Sequence, residues 1–254
     1  EFVVRTGEKV YKKRYTWIPV MTGLLGFAWL AYSAIMIDAM SVLTTFIVAY
    51  LWYDLFSGIL HVVLDNPSVM KIPILNEPCL EFQWHHHLPH DLCSKSFLEV
   101  CGDLNLPVGI VWLVMIGPKE TFLGIPFGFG LREPLAFNLM AWKLIMAYFG
   151  QLCHSMSHMP ASRRPEWVNY LQNAGMMIHP KQHAQHHKTY DDKFCIGSGM
   201  WNPVVSACLR VTDKMHIACG GSTETNGYAW IVALGLGLIC DVSIMTEVLR
   251  PYLG

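Results

Sequence analysis

The chain has 254 residues, 53% hydrophobic and only 15% charged, with a formal net charge of -1. That balance excludes the basic footprint of a nucleic-acid-binding domain, and it falls well short of the roughly one-quarter charged residues of an average soluble domain. Twelve histidines stand beside 14 methionines and nine tryptophans. A hydrophobic core absorbs methionine readily, but it has no use for so many imidazoles.

The chain opens with "EFVVRTGEKVYKKRY", which lacks an initiator methionine and reads as a processed or truncated start. Lys9, Lys12, Lys13 and Arg14 precede the first apolar tract. Positive charge there holds that end on the cytosolic face, or its plastid stromal equivalent. Residues 15–37 carry no formal charge, and about 23 such residues suffice to cross a hydrocarbon layer of roughly 30 Å. Residues 39–64 repeat the pattern, broken only by Asp54. A charge inside an apolar span costs several kcal/mol unless compensated, so Asp54 should face the interior and pair there, with a ligand histidine's second ring nitrogen as a candidate partner.

A loop over 65–103 follows, made irregular by Pro67, Pro73, Pro78 and Pro89. Two weaker apolar tracts, 104–127 and 135–153, predict a third and a fourth span; the first contains Gly117, Pro118, Lys119 and Glu120, the second Lys143. A second polar loop covers 154–224, where "PEWVNYLQNAGMMI" predicts an amphipathic helix opened by Pro165. A last tract runs from 228 to 239 and on past Asp241 to 245. The layout predicts an all-α integral membrane protein with four transmembrane helices and a fifth candidate at the C-terminal end. It reads as one domain: a basic segment (1–14), spans with the first histidine-rich loop (15–153), the second histidine-rich loop (154–224) and an apolar end (225–254). The eight cysteines form no C-x-x-C pair and read as buried reduced thiols, which removes a thiolate zinc site.

Two-out, two-back topology returns the ends of spans two and four to the side of the N-terminus. Both histidine-rich loops then share one membrane face. Four clusters meet there: "DLFSGILHVVLD" with Asp54, His61 and Asp65; "FQWHHHLPHD" with His85, His86, His87 and His90; "GQLCHSMSHMP" with His154 and His158; and "HPKQHAQHH" with His179, His183, His186 and His187. On a helix, residues four apart share a face. His61 with Asp65, His154 with His158, and His183 with His186 and His187 are therefore spaced to grip metal. Imidazole suits iron, zinc, copper and nickel. At least eight histidines plus carboxylates exceed the three or four ligands of one zinc and are enough for two metals. Spacing does not separate His85 and His86 from His87. His216 stands apart and reads as structural.

These motifs resemble a family of membrane lipid desaturases. It includes the plasmanylethanolamine desaturase and the plastid desaturase that places a trans double bond in the palmitate of phosphatidylglycerol. The markers are "D..SG..H...D" from Asp54 to Asp65, "FQ.HH..P" from Phe82 to Pro89, "H...H" at His154 and His158, "QHAQHH" from Gln182 to His187 and "FCI.SG.WN" from Phe194 to Asn202. The wording is closer to the plastid branch, and Lys95 stands where the plasmalogen branch carries a further histidine before Phe97 and Glu99. The resemblance implies a metal set of His61, His85, His86, His154, His158, His183, His186 and His187, with Asp65 as the carboxylate; it gives no role to His87, His90 or His179. Asp54, Trp201 and Asn202 would support the ligands or orient the acyl end, and Trp201 reads equally as an interfacial anchor.

The resemblance further implies two non-haem irons, O2, and electrons from ferredoxin, or from cytochrome b5 in the endoplasmic reticulum. The substrate would be an acyl chain of a membrane glycerolipid, phosphatidylglycerol palmitate first, in a plastid thylakoid or envelope membrane before the endoplasmic reticulum. Competing readings are a non-catalytic desaturase-like subunit of a photosynthetic membrane complex, a plasmalogen-forming alkyl-ether lipid desaturase, and a membrane hydroxylase or sterol oxidase, which "FCIGSGMWN" disfavours.

Overall fold

The computed structural model describes residues 15–73, 75–104, 108, 120–122, 125–127, 134–223, 226–235, 248, 249, 251 and 252. These residues are helical apart from turns, loops and one short hairpin. The helices are α1 (Trp17–Met36), α2 (Ala39–Leu64), α3 (Asn76–His87), α4 (Pro89–Ser94), α5 (Phe97–Cys101), α6 (Pro134–His158), α7 (Glu166–Asn173), α8 (Pro180–Thr189) and α9 (Asn202–Ala218). Residues 226–235 are also helical. The chain divides into two compact units: one of Glu1–Lys13, Asp54–Val100 and Gly150–Gly235, the other of Arg14–Tyr53, Cys101–Phe149 and Leu236–Gly254.

The first two apolar tracts form α1 and α2, both long and apolar enough to cross a membrane. Asp38 separates them. Its Oδ1 accepts the amide N–H groups of Met40 and Ser41 at 2.8 and 3.0 Å, capping the free donors at the start of α2. The fourth tract forms α6, whose 25 residues carry the helix on through His154 and His158. The third tract, 104–127, lies largely outside the described residues. Near its end is the one short hairpin among the described residues, β1 (Glu120–Phe122) and β2 (Ile125–Phe127) pairing antiparallel with Thr121 opposite Pro126, in a chain that is otherwise helical as expected. Of the last tract, 236–247 lies outside the described residues. The amphipathic segment forms α7, closed by Gly175 at φ +73°, the left-handed position that favours glycine.

Within the second unit, α1 reverses the usual polarity of a surface helix. Its buried residues are Pro19, Thr22, Gly26 and Ser33, while Trp17, Leu24, Phe27 and Ile35 point outward, Ile35 82% exposed. Small and polar residues facing inward let helix backbones approach and bond where apolar side chains face lipid. A buried polar chain fits this: Asn138 on α6 donates to Ser33 Oγ at 2.9 Å and accepts from Thr45 Oγ1 at 2.5 Å. Lys143 is buried with its ammonium 3.7 Å from the centre of the Trp52 ring, a cation–π contact that offsets part of its desolvation.

The first unit has a conventional core of Val62, Val63, Leu64, Val69, Cys79, Phe194, Cys195, Val205, Trp230 and Leu234. It brings the end of α2 together with α9 and the helix over 226–235.

Asn138→Ala removes two side-chain hydrogen bonds from the second unit's interior. We expect a loss of about 1–2 kcal/mol, read as a lower Tm in detergent; an unchanged Tm would show that this polar chain adds nothing to stability.

Candidate metal centre

Four helix segments of the first unit deliver the imidazoles. His61 sits on the last turn of α2, and the Asp65 amide continues that turn onto the His61 carbonyl at 2.8 Å. His85 and His86 end α3, His154 and His158 end α6, and His183, His186 and His187 lie along α8. His61, His183 and His186 are 0–1% exposed, and His85, His86 and His154 are also buried.

The donor atoms fall into two groups. In one, a ring nitrogen of each of His85, His154, His158, His183 and His187 lies within 4.8 Å of all the others; in the second, His61, His186 and Asp65 do the same. The groups adjoin: the His61 ring lies 5.4 Å from His154, and the His186 ring 5.7 Å from His183, centre to centre. His183 Nε2 lies 2.8 Å from His158 Nε2 and 3.1 Å from His187 Nε2. A neutral imidazole has a single N–H, so three converging Nε2 atoms cannot satisfy one another. Ligands at about 2.1 Å from one cation, at near-right angles, sit about 3 Å apart, which matches.

Buried donor atoms tell the same story. His61 Nε2, His85 Nε2, His154 Nε2, His186 Nε2 and Asp65 Oδ2 have no hydrogen-bond partner among the described residues. His186 Nε2 and Asp65 Oδ2 lie 3.1 Å apart, yet outside hydrogen-bonding geometry, as two ligands aimed at a common point would. The residues present fit two metal ions.

Electrostatics prepares these donors. Burial, reinforced by neighbouring imidazoles, pushes His85 and His183 well below the usual histidine range and His187 down to about 2. These rings are therefore neutral near pH 7, the form that coordinates metal. Burial opposes the charge on Asp65, but His86 and His186 beside it overcome that and hold its carboxyl well below the usual carboxylate range.

His86 sits apart from the other expected ligands. Its Nε2 lies 2.9 Å from Asp65 Oδ1, and it belongs to neither group, so it stands behind the carboxylate as an orienting partner. Asp54 departs from the sequence expectation. It is buried, but its partners are backbone amides rather than an imidazole: Oδ1 accepts from Ser198 and Gly199 at 2.7 and 3.0 Å, and Oδ2 from Trp201 at 3.2 Å. Successive N–H groups ahead of a helix form an anion nest, which compensates a carboxylate inside an apolar helix. Asn202 accepts the Cys195 amide at 2.8 Å through Oδ1, and partly buried Trp201 packs on the core. His87 and His90 are exposed. His179 caps α8, its Nδ1 accepting the Lys181 amide at 3.2 Å. Lys95 lies 2.9 Å from Asp91 and 3.7 Å from Glu81.

Several residues quoted in the motifs turn out to have roles that spacing did not assign. Ser57 Oγ accepts the Ile196 amide at 3.1 Å. Gly58 leaves room for Cys195, whose Sγ would lie 2.6 Å from an added Cβ. Phe194 packs its ring on His186 at 5.1 Å, and Phe82 packs on His61 at 4.7 Å. Gln83 donates to the Asp65 carbonyl at 2.6 Å, and His186 Nδ1 donates to the Asp192 carbonyl at 2.9 Å. One stripe of α2, Asp54–Ser57–Gly58–His61–Asp65, thus carries metal donors at one end and the clamp for the 194–202 loop at the other.

The cluster is one that could hold metal ions, and comparison with known proteins gives its family. The lipid desaturase domain family matches residues 50–220, about two thirds of the chain, and the chain belongs to that family. It is 27% identical over 157 residues to chloroplastic fatty acid desaturase 4 of Arabidopsis thaliana, covering 61% of this chain and 45% of that protein. It is 28% identical over 167 residues to the plasmanylethanolamine desaturase of Myxococcus xanthus, covering 63% and 54%. The chain spans about half the length of the curated relatives it matches. No solved structure matches it.

Gly58→Ala puts a methyl against Cys195 and Val205, and overpacking of this kind costs about 1–3 kcal/mol, more than the helix-propensity gain of up to about 1 kcal/mol. We expect a lower Tm, with Gly58→Ala/Cys195→Ala recovering most of the loss. Equal Tm values for both variants would show that the loop does not depend on this contact.

Proposed function

We propose that the chain is a membrane-embedded, di-iron, oxygen-dependent lipid desaturase acting on an acyl chain of a glycerolipid. Its carrying observation is the two adjoining groups of buried, converging donors in a family of lipid desaturases. His85, His154, His158, His183 and His187 would hold one iron, and His61, His186 and Asp65 the other, with His86 fixing the carboxylate. When bound, the irons supply the oxygen chemistry that removes hydrogen from unactivated C–H bonds, which protein side chains alone cannot do. The protein's part is to keep the His85, His183 and His187 imidazoles neutral, aim the donors, exclude bulk water and seat the chain so that proximity selects the carbons. Asp192 fixes the His186 tautomer through its carbonyl, a common device for tuning a ligand imidazole.

α1 and α2 are read as spans, on their length and on the outward apolar face of α1; α6 and the tracts at 104–127 and 228–245 complete the four- or five-span layout. The names of the chloroplastic fatty acid desaturase relatives support a plastid membrane and a fatty acyl substrate; within that reading the substrate is phosphatidylglycerol palmitate and the electron donor ferredoxin. The similarity to a plasmanylethanolamine desaturase supports the alkyl-ether lipid as second substrate, with cytochrome b5 as the alternative donor. A non-catalytic role in a photosynthetic complex would require a protein without iron.

Expression in a host lacking both products, followed by lipid profiling and iron analysis, tests the proposal. We expect about two irons per chain and a new double bond whose position and head group identify the substrate. His186→Ala should abolish product and lower bound iron while the protein still accumulates in the membrane. His216→Ala should leave product within about twofold, as for a site away from such machinery. An iron-free chain, or full activity in His186→Ala, would overturn the assignment.

A further inference from the structure

Helix α9 turns polar and core-packing residues inward and an apolar stripe outward. On its inner side are buried Asn202, Val205 and Ser206, with Ser206 Oγ donating to Asp192 Oδ1. On its outer side Val204, Cys208, Val211 and Met215 are exposed, Met215 by 64%. They recur at i, i+4, i+7 and i+11, which is one face of a 3.6-residue helix. Arg210 and Lys214, also exposed, stand one turn apart along one margin of that face. An apolar stripe this long on a surface marks a contact site.

Position identifies what covers it. The three amides bound by Asp54 tie the start of α9 to α2 ten residues before Leu64, about 15 Å along the axis. α2, with 26 residues, measures about 39 Å, so at most about 9 Å of it extends beyond a hydrocarbon layer of roughly 30 Å. The tie point then lies about 6 Å or more below the hydrocarbon boundary. Helices lying in the membrane plane bury their apolar face to about 5–10 Å there, and their cationic margins meet anionic head groups.

We propose that α9 is an in-plane membrane helix, its Val204–Cys208–Val211–Met215 stripe set among acyl chains and Arg210 and Lys214 against anionic lipid phosphates. The proposal rests on α2 crossing the bilayer, and it is independent of iron and of the substrate. Because Ser206 on the opposite face holds Asp192, whose carbonyl accepts from His186, the helix joins the lipid surface to the metal centre by two hydrogen bonds.

Cys208 is a built-in reporter: among the described cysteines only Cys208 and Cys219 are exposed. In the full chain carrying Cys219→Ser and Cys240→Ser, a nitroxide on Cys208 is examined in phosphatidylglycerol vesicles by power saturation with oxygen and with a water-soluble nickel chelate. We expect a several-fold higher oxygen-to-nickel ratio at Cys208 than at a label on Arg210→Cys in a Cys208→Ser background, and a smaller ratio at Cys208 in the same phosphatidylglycerol vesicles when Arg210 and Lys214 are both replaced by glutamine. A label on Leu43→Cys reports α2. Shielding at Leu43→Cys with Cys208 open to nickel overturns the proposal and leaves the spanning reading intact; both sites open overturns the two together. Spin–spin broadening at Cys208 that disappears on dilution with unlabelled protein assigns the stripe to a second copy, and also overturns the proposal.

Discussion

The structure depends on one constraint: imidazole lone pairs and a carboxylate are forced to converge in a buried space where they cannot satisfy each other. Packing His61, His85, His154, His183 and His186 so closely, with Nε2 atoms of several lacking any partner among the described residues, is unfavourable by a few kcal/mol per buried unpaired polar group. Such an arrangement persists only if the surrounding structure holds it, and a cation at this point would reward it. Cation binding would therefore act as folding energy for this unit.

What holds the cluster is the contact between α2 and the 194–202 loop. The carboxylate of Asp54 takes three amides, Ser57 takes a fourth, Gly58 opens space for Cys195, and Phe194 then lies against His186. Motif letters without metal chemistry are the scaffold of that chemistry. A small residue at Gly58 and a buried acid at Asp54 look like liabilities in an apolar helix until the loop is in place.

The second unit packs by a different rule. There α1 keeps Thr22, Gly26 and Ser33 inside and presents Trp17, Leu24, Phe27 and Ile35 outward, while Asn138 links Ser33 and Thr45 in the interior. Lipid removes the hydrophobic gain from burying leucine and leaves close packing and hydrogen bonds to bind helices. α9 repeats the inversion in the first unit, with exposed Arg210 and Lys214 that have no counterpart on α1.

Much was legible from residue order alone. Long apolar runs bounded by polar residues fixed the ends of α1 and α2 to within two residues, because an unbroken apolar run satisfies its backbone groups as one helix. The i, i+3 and i, i+4 spacings of His154, His158, His183, His186 and His187 placed those rings on common faces, since helical periodicity is a local property. Asp54 was legible as buried and compensated, but its partner was not, because that partner is a set of backbone amides more than 140 residues away and amides leave no signature in sequence. His86 was indistinguishable from His85 by spacing; only the packing of α3 against the end of α2 set one toward the donors and the other behind Asp65. Sequence by itself determined which imidazoles share a helix face and which helices bear them, through periodicity and composition. Tertiary structure decided how the donors divide into two groups and what clamps them, because those depend on contacts between segments whose approach no local pattern encodes.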